Sequence, residues 1–376
     1  MTLANQSYGM RYDRMPIEIE APEEYGYENI RYNLSESSFT DQTLESLDLK
    51  IPNLKLIYNE HRGGKKLRKL VASGSDSLHE DDVLITSGAA GALFIISTSQ
   101  LNPESHLVVV RPNYSTNIET PRAIGCEISF IDLTYEDQFQ INVAAIEASI
   151  KRNTKIVSIT CPHNPTGTLI SEDSLRQLVA VTKKHNCLLL VDETYRDISY
   201  GSQLPIAASL DDHVISVCSL SKSFGAPGIR VGWLICKDQS LQTTFLAAKE
   251  QMSISGSVID EWIAEQLLAR KSETLQVTTA EMKIRRSIVA AWIEKEELLE
   301  WVQPEGGIVC FPRMTREPVG GTAGFYKRLL EVHGTYVGPG HWFEMPDTSF
   351  RVGYGWSTRS ELEEGLEAIS KALREL

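Results

Sequence analysis

Seven short, charge-poor runs of β-branched and aliphatic residues limit what this chain can fold into. They are Val83–Thr86, His106–Val110, Glu127–Leu133, Lys155–Thr160, Cys187–Asp192, Val214–Leu220 and Arg230–Cys236. Runs this continuous in hydrophobicity suit strands covered on both faces, because a strand wet on one face alternates apolar with polar residues. Helix-like stretches separate many of them. In Glu172–His185, Ser171 stands at the N-cap, acids fill the first turn, and Lys183, Lys184 and His185 occupy the last, in accord with the helix dipole. Strands alternating with helices predict an α/β domain around a mostly parallel sheet. One connection differs. Only nine residues separate Leu220 from Arg230, too few for a parallel crossover, so these two strands should pair antiparallel.

The last third reads differently. A long helical stretch, Gln239 to Lys295, leads to short strands near Ile308–Phe311 and Phe350–Val352 and to a closing helix from Arg359 to Leu376. The expected fold is α/β: a large domain with a mostly parallel seven-stranded sheet containing one antiparallel strand, plus a smaller α+β C-terminal domain. The 376 residues suffice for both. The expected division is 1–50 as a segment joining the small domain, 51–295 as the large domain and 296–376 as the small one.

Charge and cysteine usage exclude several classes. The net charge is −13, and ten acids against four bases stand in the first fifty residues. Nucleic-acid binding demands clustered Lys and Arg, so nucleic acid is not the expected partner. No apolar run approaches the ~20 residues of a membrane helix, and the opening residues lack the apolar core of a signal peptide. The six cysteines are scattered with no CxxC pair, which predicts neither disulfides nor a metal site and points to the cytoplasm.

The most specific segment runs from Ser219 to Gly232. Ser219 and Lys222 form S-x-x-K, Arg230 follows eight residues after the lysine, and Gly232 two further on. A neutral lysine amine at a strand end is a nucleophile for an aldehyde, and an arginine across a short loop brings a fork of donors to a phosphate dianion. This segment resembles the class I/II aminotransferases, which are fold-type I pyridoxal phosphate (PLP) enzymes of the aspartate-aminotransferase kind. The resemblance runs from about Asn33 to the C-terminus and implies that Lys222 holds PLP as a Schiff base, with Arg230 and the Ser219 hydroxyl on its phosphate.

Other segments follow in the family's order. Asp192-Glu-Thr-Tyr195 matches a D-x-x-Y pair in which the aspartate bonds the ring nitrogen and the tyrosine the ring hydroxyl; a buried carboxylate there favours the protonated ring. Asn164-Pro-Thr-Gly167 matches N-P-x-G, whose asparagine donates to the same hydroxyl. Ser87-Gly-Ala-Ala-Gly-Ala92 turns from strand to helix. There the amides of Ala89 and Ala90 match positions that hold the phosphate, as free amides at a helix start can. Tyr114 fits the aromatic that stacks on the ring. Tyr58, five residues before Gly63, matches a tyrosine that reaches the phosphate of a neighbouring subunit, which implies a homodimer with shared active sites. Arg351 matches the arginine that grips the substrate α-carboxylate, since a guanidinium fork fits a carboxylate and lysine does not.

The resemblance implies an amino acid and a 2-oxo acid as substrates, with Lys222 as the base that moves the Cα proton. Other fold-type I reactions share these steps, namely C–S β-lyase, decarboxylase and capreomycidine-synthase-like cyclase chemistry, and His163 beside Asn164 favours the first. In place of the family's N-L-G-x-G-x-P the chain reads Asn33-Leu-Ser-Glu-Ser-Ser38. That loop lines the substrate pocket in the family, which places Ser35 and Glu36 against substrate and lets Glu36 face a cationic side chain. A ligand-sensing regulator would need a DNA-binding extension, for which the roughly thirty residues before the match, with more acids than bases, are expected to leave no room. A nicotinamide oxidoreductase would need G-x-G-x-x-G, which is missing.

Overall fold

The computed structural model of the protein describes residues 9–375; the opening residues read above for a signal peptide, 1–8, and Leu376 lie outside the described residues. The seven apolar runs form one sheet: β1 Val83–Ser87, β2 His106–Arg111, β3 Glu127–Asp132, β4 Thr154–Thr160, β5 Leu188–Asp192, β6 Val214–Ser219 and β7 Val231–Ile235. Their order across the sheet is β1-β7-β6-β5-β4-β2-β3. β7 is antiparallel to both β1 and β6, and the other neighbours are parallel. The antiparallel strand is the one that the short connection after Leu220 predicts.

The sheet is buried on both faces. Val108, Val110, Val157, Leu189 and Val191 pack beneath the helix Glu172–Lys184. Leu84, Val109, Ile215 and Leu234 pack on the other face against Gly88–Gln100. The helix Glu172–Lys184 begins where Ser171 accepts from the Ser174 amide and ends in Lys183 and Lys184, so its cap and dipole agree with the sequence.

The stretch Gln239 to Lys295 is three helices rather than one: Gln239–Ser253, Val258–Ala269 and Lys271–Ile293. The first ends where Ile254 turns to φ +55°, and Ser257 caps the second by accepting from Asp260. A Ser-Ile-Ser-Gly-Ser run offers the backbone such local partners in place of helical ones.

A further core gathers the C-terminal residues. Phe325, Phe350, Tyr354, Leu366 and Ile369 pack there with Leu34 from the N-terminal segment and with Met282 and Val289 from the helix Lys271–Ile293. That helix therefore contributes to the C-terminal core from residues before 296. Tyr32–Asn33 pairs parallel with Thr335–Tyr336, which anchors the N-terminal segment. The closing helix is Arg359–Arg374, with Thr358 and Glu361 as a reciprocal cap. Among the described residues no helix is long and apolar enough to cross a membrane.

Candidate active site

The C-terminal ends of β4, β5 and β6, and the turn after β1, open on one cavity of about 630 Å³. Parallel sheets place ligands at this edge because loops and helix N-termini converge there. Ser35, Glu36, Ala89, Ala90, Tyr114, Asn164, Asp192, Tyr195, Ser219, Lys222, Arg230 and Arg351 all line it. Tyr58 does not. Its side chain is 78 % exposed, beside Leu56 and Ile57, which are 78 % and 67 % exposed.

Lys222 Nζ donates to Ser37 Oγ at 3.0 Å. Burial, with Arg351 and Arg230 nearby, lowers its pKa from the usual lysine value, against the opposing pull of Glu36. The amine is thus biased towards the neutral, nucleophilic form. Asp192 ends β5, only 3 % exposed. One of its oxygens accepts from the Thr194 amide and hydroxyl at 3.1 and 2.6 Å, and the other accepts from Asn117 Nδ2 at 3.2 Å. Burial still raises its pKa despite those bonds and the charge of Lys222. It forms no ion pair among the described residues, so a positive group placed against it would hold it ionised.

Tyr195 donates to the Ser37 carbonyl at 3.0 Å, and burial pushes its phenol up to about 12. Tyr114 is likewise pushed up to about 12, by burial and by Glu18. Arg351 is 4 % exposed and donates to Asn164 Oδ1 at 3.2 Å and to the Ser35 carbonyl at 2.8 Å. Its buried Nε has no partner among the described residues. Ser35 contributes that carbonyl, while its hydroxyl turns to Asn33 Oδ1 at 2.8 Å. Glu36 accepts from the Tyr27 hydroxyl at 3.1 Å.

The glycines beside Arg230 shape a cradle. A Cβ on Gly88 would lie 2.5 Å from Arg230 Nη2, and one on Gly232 would collide with the Gly88 carbonyl carbon and lie 2.7 Å from the Ala89 nitrogen. Without those side chains, the Arg230 guanidinium and the helix start at Ala89 and Ala90 meet at the cavity wall. Arg230 holds φ +51°, a left-handed geometry that costs a non-glycine residue ~1 kcal/mol or more. The donor set suits PLP: an amine for its aldehyde, a buried acid for its ring nitrogen, and a guanidinium with helix amides for its phosphate.

Several residues at the site carry no local sequence signal. Ser37 touches both Lys222 and Tyr195, and Asn117 holds Asp192 from the helix Thr116–Ile124. One wall comes from Met15, Ile17, Glu18, Ala21 and Pro22. It is clasped through Glu20, whose carboxylate accepts from Trp342 Nε1 at 2.6 Å and lies 2.9 Å from His341 Nε2. His163 stands outside the cavity lining. Its ring bonds Thr166 at 2.7 Å and the Pro112 carbonyl at 2.9 Å, and burial lowers its pKa to about 4. It is a neutral brace between two loops.

Residues 38–369 match the family model described as aminotransferase class I and II. The chain is 28% identical over 313 residues to capreomycidine synthase of Streptomyces vinaceus, covering 83% of this chain and 79% of that protein. A PLP-dependent aminotransferase from Streptococcus suis superposes with a TM-score of 0.90 at 26% identity, covering 97% of this chain and 98% of that one. The PLP-dependent cyclase OrfR superposes at 0.87 with 25% identity, covering 98% and 99%.

Proposed function

The chain belongs to the class I and II aminotransferase family, and on that premise we propose that it moves an amino group between an L-amino acid and a 2-oxo acid, with Lys222 as the acting amine. Its cofactor is pyridoxal phosphate, as in its family and structural relatives. When bound, the cofactor supplies an aldehyde for an amine and a protonated ring that draws electrons from the substrate Cα. The observation that carries the reading is the position of Lys222 Nζ, held at the cavity wall by Ser37 with its pKa lowered.

Each residue then has a defined task. Lys222 Nζ would hold the cofactor at its aldehyde carbon and, when free, would serve as the base that moves the substrate Cα proton. Asp192 sets a negative charge against the ring nitrogen, and Asn164 and Tyr195 serve the ring hydroxyl. Arg230, Ser219 and the amides of Ala89 and Ala90 take the phosphate. Tyr114 stacks on the ring face. Arg351, with its free Nε, takes the substrate carboxylate.

The deciding experiment is a screen of single amino acids against the PLP-loaded protein. Pyridoxamine phosphate with an oxo acid supports transamination, whereas pyruvate with ammonia, or carbon dioxide, would replace it with β-elimination or decarboxylation. Ring closure on the bound amino acid is a second reading, favoured by the likeness to capreomycidine synthase and to the cyclase OrfR. Its product would be a cyclic amino acid with no oxo acid released.

Two predictions arise here. Arg351→Lys keeps the charge and loses the fork, so KM for the amino acid should rise roughly 10–100-fold, as for the loss of hydrogen bonds to a charged group, with a smaller change in kcat. An unchanged KM would remove Arg351 from the carboxylate site. The exposed Leu56-Ile57-Tyr58 segment supports a homodimer in which Tyr58 serves the partner's phosphate. Mixing Lys222→Ala subunits with Tyr58→Ala subunits should then rebuild one intact site per hybrid and regain activity that neither parent has. No regain in hybrids shown to form would rule out shared sites.

A further inference from the structure

We infer that the amino acid taken by this site carries a cation at the far end of its side chain, a guanidinium or ammonium group received by Glu18 and Glu36; this rests on the amino-acid reading of the cavity given above. Arg351 is buried with an unpartnered Nε, which calls for an anion, and the only anion common to all amino acids is the α-carboxylate. Glu18, Glu23, Glu36 and Asp41 share the same lining.

None of those four carboxylates forms an ion pair with a cation among the described residues. Glu36 is met by the Tyr27 hydroxyl at 3.1 Å and Asp41 by Trp356 Nε1 at 2.8 Å, both neutral donors. The Arg14 guanidinium reaches the Glu18 backbone carbonyl at 3.2 Å rather than its carboxylate. Glu18 and Glu36 are half-buried, whereas Glu23 and Asp41 are exposed at the rim. The two inner acids therefore face substrate, and the outer two add field.

The lining also holds the apolar Met15, Ile17, Ala21 and Trp342, which suit a methylene stem. An amino acid with its carboxylate on Arg351 and its amine at Lys222 would lay such a stem along this wall. A distal carboxylate would instead meet like charge, so the same two acids reject aspartate and glutamate.

The test uses the PLP-loaded protein and two probes without an α-amino group, which bind but do not react. 5-Guanidinopentanoate and hexanoate share the carboxylate and differ at the far end. By calorimetry the guanidino acid should bind roughly 10–100-fold more tightly, the scale of charge-assisted hydrogen bonds. Glu18→Gln and Glu36→Gln should each remove about tenfold of that preference, while continued hexanoate binding shows that the folded site persists. In single-turnover conversion, arginine and lysine should outpace leucine and glutamate. Equal affinity for the two probes, a preference that survives both substitutions, or faster turnover of leucine or glutamate would overturn the inference. If no amino acid converts the cofactor, the aminotransferase reading fails, while the probe binding still decides the charge of the pocket.

Discussion

Replacing Lys222 with alanine is expected to reduce turnover by roughly 10,000-fold or more, since it removes both the amine that bonds the cofactor and the base that moves the Cα proton; proton transfer alone contributes about 100- to 10,000-fold. The structure gives this side chain few substitutes. Arg351 and Arg230 are guanidiniums that stay charged at any working pH, and among the described residues no second lysine lines the cavity. The loss should show in a covalent readout independent of turnover. Borohydride treatment of the loaded wild-type protein should leave the cofactor mass on the peptide containing Lys222, and the alanine variant should carry none. Cofactor trapped on another lysine of the wild-type protein would displace Lys222 from its role.

Asp192→Asn should have the next largest effect and leave a different signature. Asparagine keeps the shape and can still accept from Thr194, but it loses the charge set against the ring nitrogen. Removing one aimed electrostatic group from a site of this kind costs roughly 100- to 1,000-fold in rate. The cofactor should remain bonded to Lys222, so borohydride trapping should match the wild type while Cα-proton exchange slows. The burial that raises the Asp192 pKa makes this more than a solvated surface charge. A variant with wild-type proton exchange would show that Asp192 serves only its loop.

Much of the fold is legible in the sequence. All seven expected strands occur, with ends shifted by no more than one residue, because strands buried on both faces must be apolar throughout and so stand out locally. The three-way split of Gln239–Lys295 was less legible. Its breaks depend on caps at Ser257 and a turn at Ile254, and short polar residues also occur within helices. At the site, the strand-end motifs could be read because each sits within a few residues of a strand it terminates. Ser37, Asn117 and Glu18 could not. Ser37 meets Lys222 across 185 residues of chain and Asn117 meets Asp192 across 75, and no local pattern encodes such a contact.

His163 shows the same limit from the other side. Next to Asn164 in the chain, it reads as part of the site, yet the turn carries its ring to Thr166 and the Pro112 carbonyl, away from the cavity. Sequence by itself determined the sheet, its one antiparallel strand, and the motif that carries Lys222, since hydrophobic continuity, loop length and residue spacing are local properties. Only the tertiary structure decided what surrounds that lysine. Packing buries Asp192 and Arg351 and brings Glu18 and Glu36 into one cavity with Lys222. Burial and long-range juxtaposition set those charges, and neither exists until the chain has packed.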